Sequence, residues 1–548
     1  GESEQPEPLT YAALDAGARR IASGLRERRL TRAGAVAIML PTGLGYFFSF
    51  LGILQAGGIP VPIYPPARPT QIEEHLRRHV RILNNAKVHL LITVPEAKAI
   101  GHLLQAQVPS LRAVLTVEDL SGVTDTALRP RLRGRDIAFL QYTSGSTGDP
   151  KGVILSHADL LANIRAMGEA VGLQPSDVFV SWLPLYHDMG LIGAWMGCLY
   201  YGLPLVVMSP LSFLARPSRW LWAIHRHRGT FSASPNFGYE LCLHKVDDSE
   251  IQGLDLSSWR YAFNGAEPVS PDTLERFAQR FAGYGLRAEA MAPVYGLAEA
   301  GVGLAFPPAG RGALIDCIDR APFTQAGQAR PVPCDQPGVL RIVACGRPLP
   351  GYRVRVVDPG GNPLSERREG RLEFRGPSAT RGYYNNPQAT DRLYRGGWLD
   401  TGDRAYLAAG DVYLTGRVKD MIIRGGRNFY PYELEQAVGD LPGIRKGCVV
   451  AFATRDPDTA SERLVVVAET RETGAAQLAL LRQAVLERSL DILPPDDITT
   501  LILTEPESLK AMRKEDPVAL LELALKKADG AGSNSDVRKL LVPAIMSA

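Results

Sequence analysis

Residues 141–152, QYTSGSTGDPKG, bring four small hydroxyl side chains, three glycines and one lysine together, directly after a strand-like run that ends at Tyr142. Glycines let the backbone turn tightly and present bare N–H groups to phosphate oxygens. Thr143, Ser144, Ser146 and Thr147 add donors, Lys151 adds a positive charge, and Gly145 and Gly148 supply the turns. This is not a Walker loop, because Asp149-Pro150 separates Gly148 from Lys151 where that loop needs Gly-Lys-Ser/Thr in succession. The bland alternative is a surface turn. So dense a hydroxyl and glycine pattern straight after a buried strand argues against it. Gly43-Leu44-Gly45 begins like a dinucleotide fingerprint but has Phe48 at the third glycine, and carries no weight.

The loop resembles the phosphate loop of the adenylate-forming superfamily, which includes acyl-CoA synthetases, nonribosomal adenylation domains, luciferases and fatty acyl-AMP ligases. The superfamily's other motifs follow in its order. Asn264-Gly265-Ala266-Glu267 resembles its adenine-side loop. Tyr295-Gly296-Leu297-Ala298-Glu299 resembles the segment whose aromatic ring stacks on adenine and whose glutamate helps to hold Mg²⁺. Asp403, in Thr401-Gly402-Asp403, matches the aspartate that takes the ribose hydroxyls; Arg417 matches a ribose-contacting arginine, and Lys419 the interdomain hinge. Taken singly, Asp403 reads as well as a turn aspartate and Glu299 as a helix-start carboxylate.

The resemblance implies ATP and Mg²⁺ as cofactors and a carboxylate attacking the α-phosphate. That reaction brings two anions together, so catalysis is mostly positioning and charge neutralisation. Lys151, the loop amides and a Mg²⁺ held by Glu299 would spread the charge that develops.

Residues 181–197, SWLPLYHDMGLIGAWMG, resemble the signature of the fatty acyl-AMP ligases. His187 stands where that family's histidine faces the forming anhydride. Met189, Gly190, Gly193 and Ala194 would flank an alkyl chain, the small residues leaving it room, although close helix–sheet packing would use small residues equally well. Ser234, Pro235, Asn236 and Phe237 resemble another wall of the same tunnel. Residues 307–337 resemble the extra segment carried by these ligases, which is taken to disfavour the CoA-using conformation. The implied partners are a fatty acid and an acyl carrier protein, or the carrier domain of a polyketide or nonribosomal-type assembly. Two rivals stay open: a long-chain acyl-CoA synthetase, and a catalytically impaired homologue that binds acyl-adenylate or nucleotide. The second arises because residues 501–516, LILTEPESLKAMRKED, lack the superfamily's Thr-Ser-Gly-Lys loop, and neither Lys510 nor Lys514 receives a role.

These residues need a scaffold, and 548 residues exceed one hydrophobic core. Apolar strands alternating with helices predict an α/β fold: a large N-terminal region of parallel sheet covered by helices over 1–337, with the inserted segment at 307–337. A β-rich subdomain follows over 338–417, then a small α+β domain with a tail over 418–548, which the resemblance at Lys419 implies is mobile. The run at residues 137–142 is expected among the parallel strands. A net charge of +3 with no long single-sign block does not point to nucleic acid, and none is expected as the partner. The apolar run at residues 46–66 is broken by Gly57-Gly58 and prolines, so no membrane span is expected. No signal-peptide pattern is visible, and a start at Gly1 instead of Met points to a trimmed N-terminus. Six scattered cysteines without a CxxC pair read as buried thiols of a cytoplasmic enzyme.

Overall fold

The structure is a computed structural model and describes residues 7–65, 72–121, 130–143, 151–424, 427–455, 462–490 and 498–504. Two parallel sheets carry the N-terminal half. The first contains Ala35–Met39, Ile59–Pro62, Leu90–Thr93 and Ala113–Leu115, with Ala35–Met39 between the second and third. Its three strands before the last are buried along their whole length, which is why they read as unbroken apolar runs instead of alternating ones. The other sheet runs Met291–Pro293, Tyr261–Asn264, Phe231–Ser234, Phe179–Ser181 and Leu205–Val207 in spatial order.

Helices join these layers. Tyr11–Glu27 begins where Thr10 Oγ1 accepts from the Ala13 N–H at 3.2 Å, a side-chain cap for an orphan donor. Leu44–Ala56 is apolar nearly all round because it is sunk in the core. Its Phe50 packs edge-on against Phe139 and Trp195, and its Tyr46 donates to the Leu185 carbonyl at 2.6 Å. These contacts bind the first sheet to the segment that bears His187. Gly57, at φ 82°, then ends the helix in the left-handed region open to glycine.

One expected strand is placed differently. Ile137–Thr143 is not in a parallel sheet; it forms an antiparallel hairpin with Lys151–Ser156, with Thr143 opposite Lys151. Parallel neighbours need a crossover of a dozen or more residues, and the connection 144–150 is too short for one. A buried apolar run does not reveal which partner it has.

The antiparallel sheet of the β-rich region contains Arg353–Val357, Gly370–Arg375, Trp398–Ala408 and Asp411–Arg417. Val339–Val343, within the β-rich stretch, stands apart from that sheet and pairs with Ile315–Asp319 of the inserted segment. Beyond it, Pro431–Gly439 and Ala475–Leu490 cover a sheet of Ile444–Arg455, Glu462–Thr470 and Ile498–Thr504. Leu434, Val438, Val466 and Val485 belong to a hydrophobic cluster of their own there.

The inserted segment is built, not loose. After Ile315–Asp319 comes the short helix Arg320–Ala326, and Ile318 and Phe323 sink to 0% and 1% exposure against Tyr406, Tyr413 and Tyr430. The reading of all six cysteines as thiols fails here. Cys317 and Cys334 form a disulfide across a sequence separation of 17, with Cα atoms 5.2 Å apart. The chain doubles back so that the Val332 N–H donates to the Cys317 carbonyl at 2.9 Å, a return that CxxC spacing does not capture. Cys198, Cys242 and Cys345 are buried free thiols. Among the described residues no helix is long and apolar enough to cross a membrane.

Candidate active site

Strand Met291–Pro293 lies at an edge of its sheet, and the chain leaving its carboxyl end builds the centre of the site. Tyr295 exchanges backbone hydrogen bonds with Ala305, and the turn Ala298–Ala300 then holds out Glu299. Gly296 is needed because a Cβ there would stand 1.7 Å from the Val302 carbonyl oxygen.

Glu299 Oε1 accepts from the Tyr383 hydroxyl at 2.7 Å. Lys151 Nζ lies 5.4 Å from the centroid of the same ring. Burial, reinforced by the Glu299 charge, pushes the Tyr383 phenol well above its ordinary range, so it stays a donor. The register around it is fixed by the backbone: Thr380 N–H donates to the Glu299 carbonyl, Ile154 N–H to Gly382, and Tyr384 N–H to Gly152.

Asp403 sits on Trp398–Ala408, opposite Arg417 in the register, with Oδ1 3.7 Å from Arg417 Nε. Tyr295 donates its hydroxyl to Asp403 Oδ2 at 2.5 Å. Burial raises the Asp403 carboxyl to about 6, against the stabilising hydrogen bond from Tyr295 and the charge of Arg417. A carboxylate so poorly solvated gains from further donors, and two vicinal hydroxyls would supply them.

On the neighbouring strand, Asn264 is fully buried and donates to Asn236 Oδ1 at 3.0 Å. Ala266 is held at φ 68°, a strained conformation for a residue with a side chain, and Glu267 Oε1 accepts from the Phe237 N–H at 2.6 Å. Ala266 and Glu267 face the cavity, whereas Asn264 and Gly265 stand behind it.

His187 Nδ1 lies 2.8 Å from Asp188 Oδ1, and its side chain is half exposed. The adjacent carboxylate raises the imidazole above its usual pKa, against desolvation. Asp188 also accepts from the Met189 N–H at 2.7 Å and so caps Met189–Met196. That segment is a π-helix, a wide winding that concentrates at functional sites. A Cβ on Gly193 would meet nothing within 4 Å, and one on Gly197 only the Ile192 carbonyl at 3.6 Å. Both glycines line open space. Gly190 differs, since its Cβ would press on the Pro184 carbonyl at 2.5 Å, and Ala194 is buried at 1% exposure. Close packing therefore explains Gly190 and Ala194, and cavity space explains Gly193.

One cavity of about 2370 Å³ joins these groups. Thr143, Lys151, His187, Met189, Gly193, Asn236, Phe237, Tyr295, Gly296, Leu297, Ala298, Glu299, Asp403, Arg417 and Lys419 all line it, whereas Ser234 and Pro235 do not. Ser144, Gly145, Ser146, Thr147 and Gly148 lie outside the described residues, as do Lys510 and Lys514. The sequence reading missed Tyr383 and the apolar wall of Ile164, Met167, Leu173, Phe179 and Cys198. Those wall residues are indistinguishable in sequence from ordinary core.

Among the described residues no group of three or more His, Cys, Asp or Glu side chains could hold a metal ion. The donors fit Mg²⁺, which dehydrates reluctantly and is held by one or two carboxylates together with substrate phosphates. Glu299 Oε2 has no hydrogen-bond partner among the described residues and is the oxygen available for it.

Comparison with known proteins agrees with this chemistry. Residues 3–384 match the family described as AMP-binding enzyme. The chain is 33% identical over 484 residues to the medium-chain-fatty-acid–[acyl-carrier-protein] ligase JamA of Moorena producens, covering 85% of this chain and 80% of that one. It is 36% identical over 470 residues to the 4-hydroxyphenylalkanoate adenylyltransferase of Mycobacterium tuberculosis, covering 80% and 72%. Among solved structures, one described under fatty acyl-adenylate ligases from E. coli and L. pneumophila superposes with a TM-score of 0.89 at 32% identity, covering 96% of this chain and 94% of that one.

Proposed function

The chain belongs to the AMP-binding enzymes, and within them to the fatty acyl-AMP ligases; from that premise we propose how its residues perform the reaction. The enzyme uses ATP to activate a medium- or long-chain fatty acid to the acyl-adenylate, releasing pyrophosphate, and passes the acyl group to the phosphopantetheine thiol of an acyl carrier protein. The observation that carries this reading is the continuity of one cavity from Asp403 and Glu299, past His187, to the open face of Gly193 and Gly197.

In this reading the ribose hydroxyls donate to Asp403, with Arg417 beside it, and the Tyr295 ring takes the adenine. Lys151 and the loop at 143–148 hold the phosphates. The alkyl chain lies along Gly193, and its carboxylate reaches the α-phosphate beside His187, which the Asp188 carboxylate keeps oriented and biased toward the cationic form. The carboxylate oxygen forms the new P–O bond as the bond to pyrophosphate breaks, and no proton need move. Mg²⁺ at Glu299 supplies charge neutralisation at the phosphates when bound.

The division at 1–337, 338–417 and 418–548, with the hinge at Lys419, belongs to the same proposal and is supported by the separate core around Leu434 and Val485. We also propose a cytoplasmic location, against which the Cys317–Cys334 bridge counts, since such cross-links are rare in reducing compartments.

The direct test is acid-dependent exchange of labelled pyrophosphate into ATP over acids of graded length. Exchange that peaks with medium or long alkyl acids supports the reading, and no acid-dependent exchange sinks it. An ω-aryl acid belongs in that panel, since the 36% identity to the 4-hydroxyphenylalkanoate enzyme makes aryl-ended acids the second substrate class.

A further inference from the structure

We propose that Tyr383 is a positioning residue for adenylate formation, holding the Glu299 carboxylate with its hydroxyl and the Lys151 ammonium with its ring. The inference rests on the reading of Glu299 as metal-facing and Lys151 as phosphate-facing. It extends that reading to a residue that none of the sequence motifs singled out.

Three observations converge on it. The hydroxyl donates to Glu299 Oε1 at 2.7 Å, so one carboxylate oxygen is fixed and Oε2 is turned to other duty. The ring lies 5.4 Å from Lys151 Nζ, and no carboxylate pairs with that lysine among the described residues. The ring therefore gives the ammonium a site without cancelling its charge, which a salt bridge would do. Third, the segment is locked from both sides. Thr380 N–H binds the Glu299 carbonyl at 2.8 Å, and Tyr384 N–H binds the Gly152 carbonyl at 2.8 Å, next to Lys151. Val153 and Tyr383 also face each other as an antiparallel bridge. A turn and a strand distant in sequence are thus held together by one short segment, whose Tyr383 touches the working group of each.

A purely structural tyrosine would need only some hydrogen-bond partner for its buried hydroxyl. Tyr383, at 8% exposure, takes as its partner the carboxylate at the reaction centre.

Two variants separate its halves. Tyr383→Phe keeps the ring and removes the donor; Tyr383→Met fills similar volume and removes both. Mn²⁺, replacing Mg²⁺, is titrated into the protein with α,β-methylene-ATP and followed by electron paramagnetic resonance. Exchange kinetics and melting temperature are measured alongside. The phenylalanine variant should bind Mn²⁺ about tenfold more weakly, the effect of losing one hydrogen bond to a charged group, with nucleotide affinity and melting unchanged. The methionine variant should lose nucleotide affinity as well. Parent-like Mn²⁺ affinity in Tyr383→Phe overturns the proposal, as does parent-like nucleotide affinity in Tyr383→Met. A Tyr383→Phe variant whose melting falls along with its Mn²⁺ affinity also overturns it, since the role is then structural. Glu299→Gln tests the reading beneath it: if that variant also binds Mn²⁺ like the parent, the carboxylate does not face the metal and the reading itself has failed.

Discussion

Asp403 is a carboxyl held at a cost in the free enzyme, which the ribose hydroxyls of the proposed ligand would relieve. Its folded pKa of about 6 lies above the ordinary 3.8, so between those values the folded chain binds more protons than the unfolded one. The stability it contributes is present below the unfolded value and lost as pH rises through about 6. At neutral pH the ionised group therefore carries a penalty of up to roughly 3 kcal/mol, since a tenfold change in proton affinity is worth about 1.4 kcal/mol. Asp403→Asn should raise the melting temperature at pH 7.5, with the gain shrinking toward pH 4; a variant equally altered at both would contradict this. Ribose hydroxyls can donate fully only to the ionised form. Adenosine affinity, measured by calorimetry, should fall about tenfold per pH unit below pH 6 and become weak and flat with pH in Asp403→Asn. Adenosine is the right probe because it has no phosphate that titrates in that range. Glu299 and Asp403 were legible in sequence through the motifs around them. Tyr383 was not, because a tyrosine in GYYNN has no spacing relation to Glu299 or Lys151 until segments distant in sequence are brought together.

Elements were legible where their burial was uniform and obscure where it was mixed. Ala35–Met39 and Tyr261–Asn264 announce themselves as apolar runs. Trp398–Ala408, the strand that carries Asp403, does not, because its WLDTGDRAYLA sequence places polar site residues in mid-strand. The π-helix Met189–Met196 was read as small residues at helical spacing, and its wider winding was invisible, yet that winding accompanies the separation of Gly193 from the packed Gly190. With open space at its Cβ position, Gly193→Trp should fold normally and abolish use of palmitate while sparing octanoate, since each excluded CH₂ forfeits about 0.8 kcal/mol of burial. Equal loss for both acids would mean a packing defect. The inserted segment makes a separate claim. Cross-linking a loop of its length stabilises by about 3 kcal/mol in the chain-entropy view, so Cys334→Ser should raise amide hydrogen exchange across residues 317–334 and leave the parallel sheets protected. Unchanged exchange in the segment would show that its packing alone holds it.

At the scale of the whole molecule, the C-terminal unit is tied down at several points. Lys446 Nζ pairs with Glu240 at 3.0 Å, Gln436 donates to Ser270 Oγ at 3.0 Å, and Arg320 of the inserted segment pairs with Glu433 at 2.7 Å. Phe323 stacks on Tyr430 at 5.5 Å between centroids. The segment packs mainly against the β-rich sheet and reaches Tyr430, the cap of the first C-terminal helix. This placement would resist rotation about Lys419, and about 1.4 kcal/mol of bias is already tenfold in population. Arg320→Ala with Phe323→Ala is a cleaner probe than deletion, because Ile315–Asp319 is also the strand partner of Val339–Val343. The central claim is that this chain makes an acyl-adenylate and hands it to a carrier thiol instead of CoA. The measurement that meets it most directly is a single turnover with ATP, Mg²⁺ and palmitate, followed by simultaneous addition of CoA and a phosphopantetheinylated acyl carrier protein, with products resolved by mass spectrometry. Acyl-adenylate and pyrophosphate should appear in equal amounts, then acyl-carrier with little acyl-CoA, and more acyl-CoA from the Arg320/Phe323 double variant. Efficient acyl-CoA formation by the parent, or no adenylate at all, would contradict it.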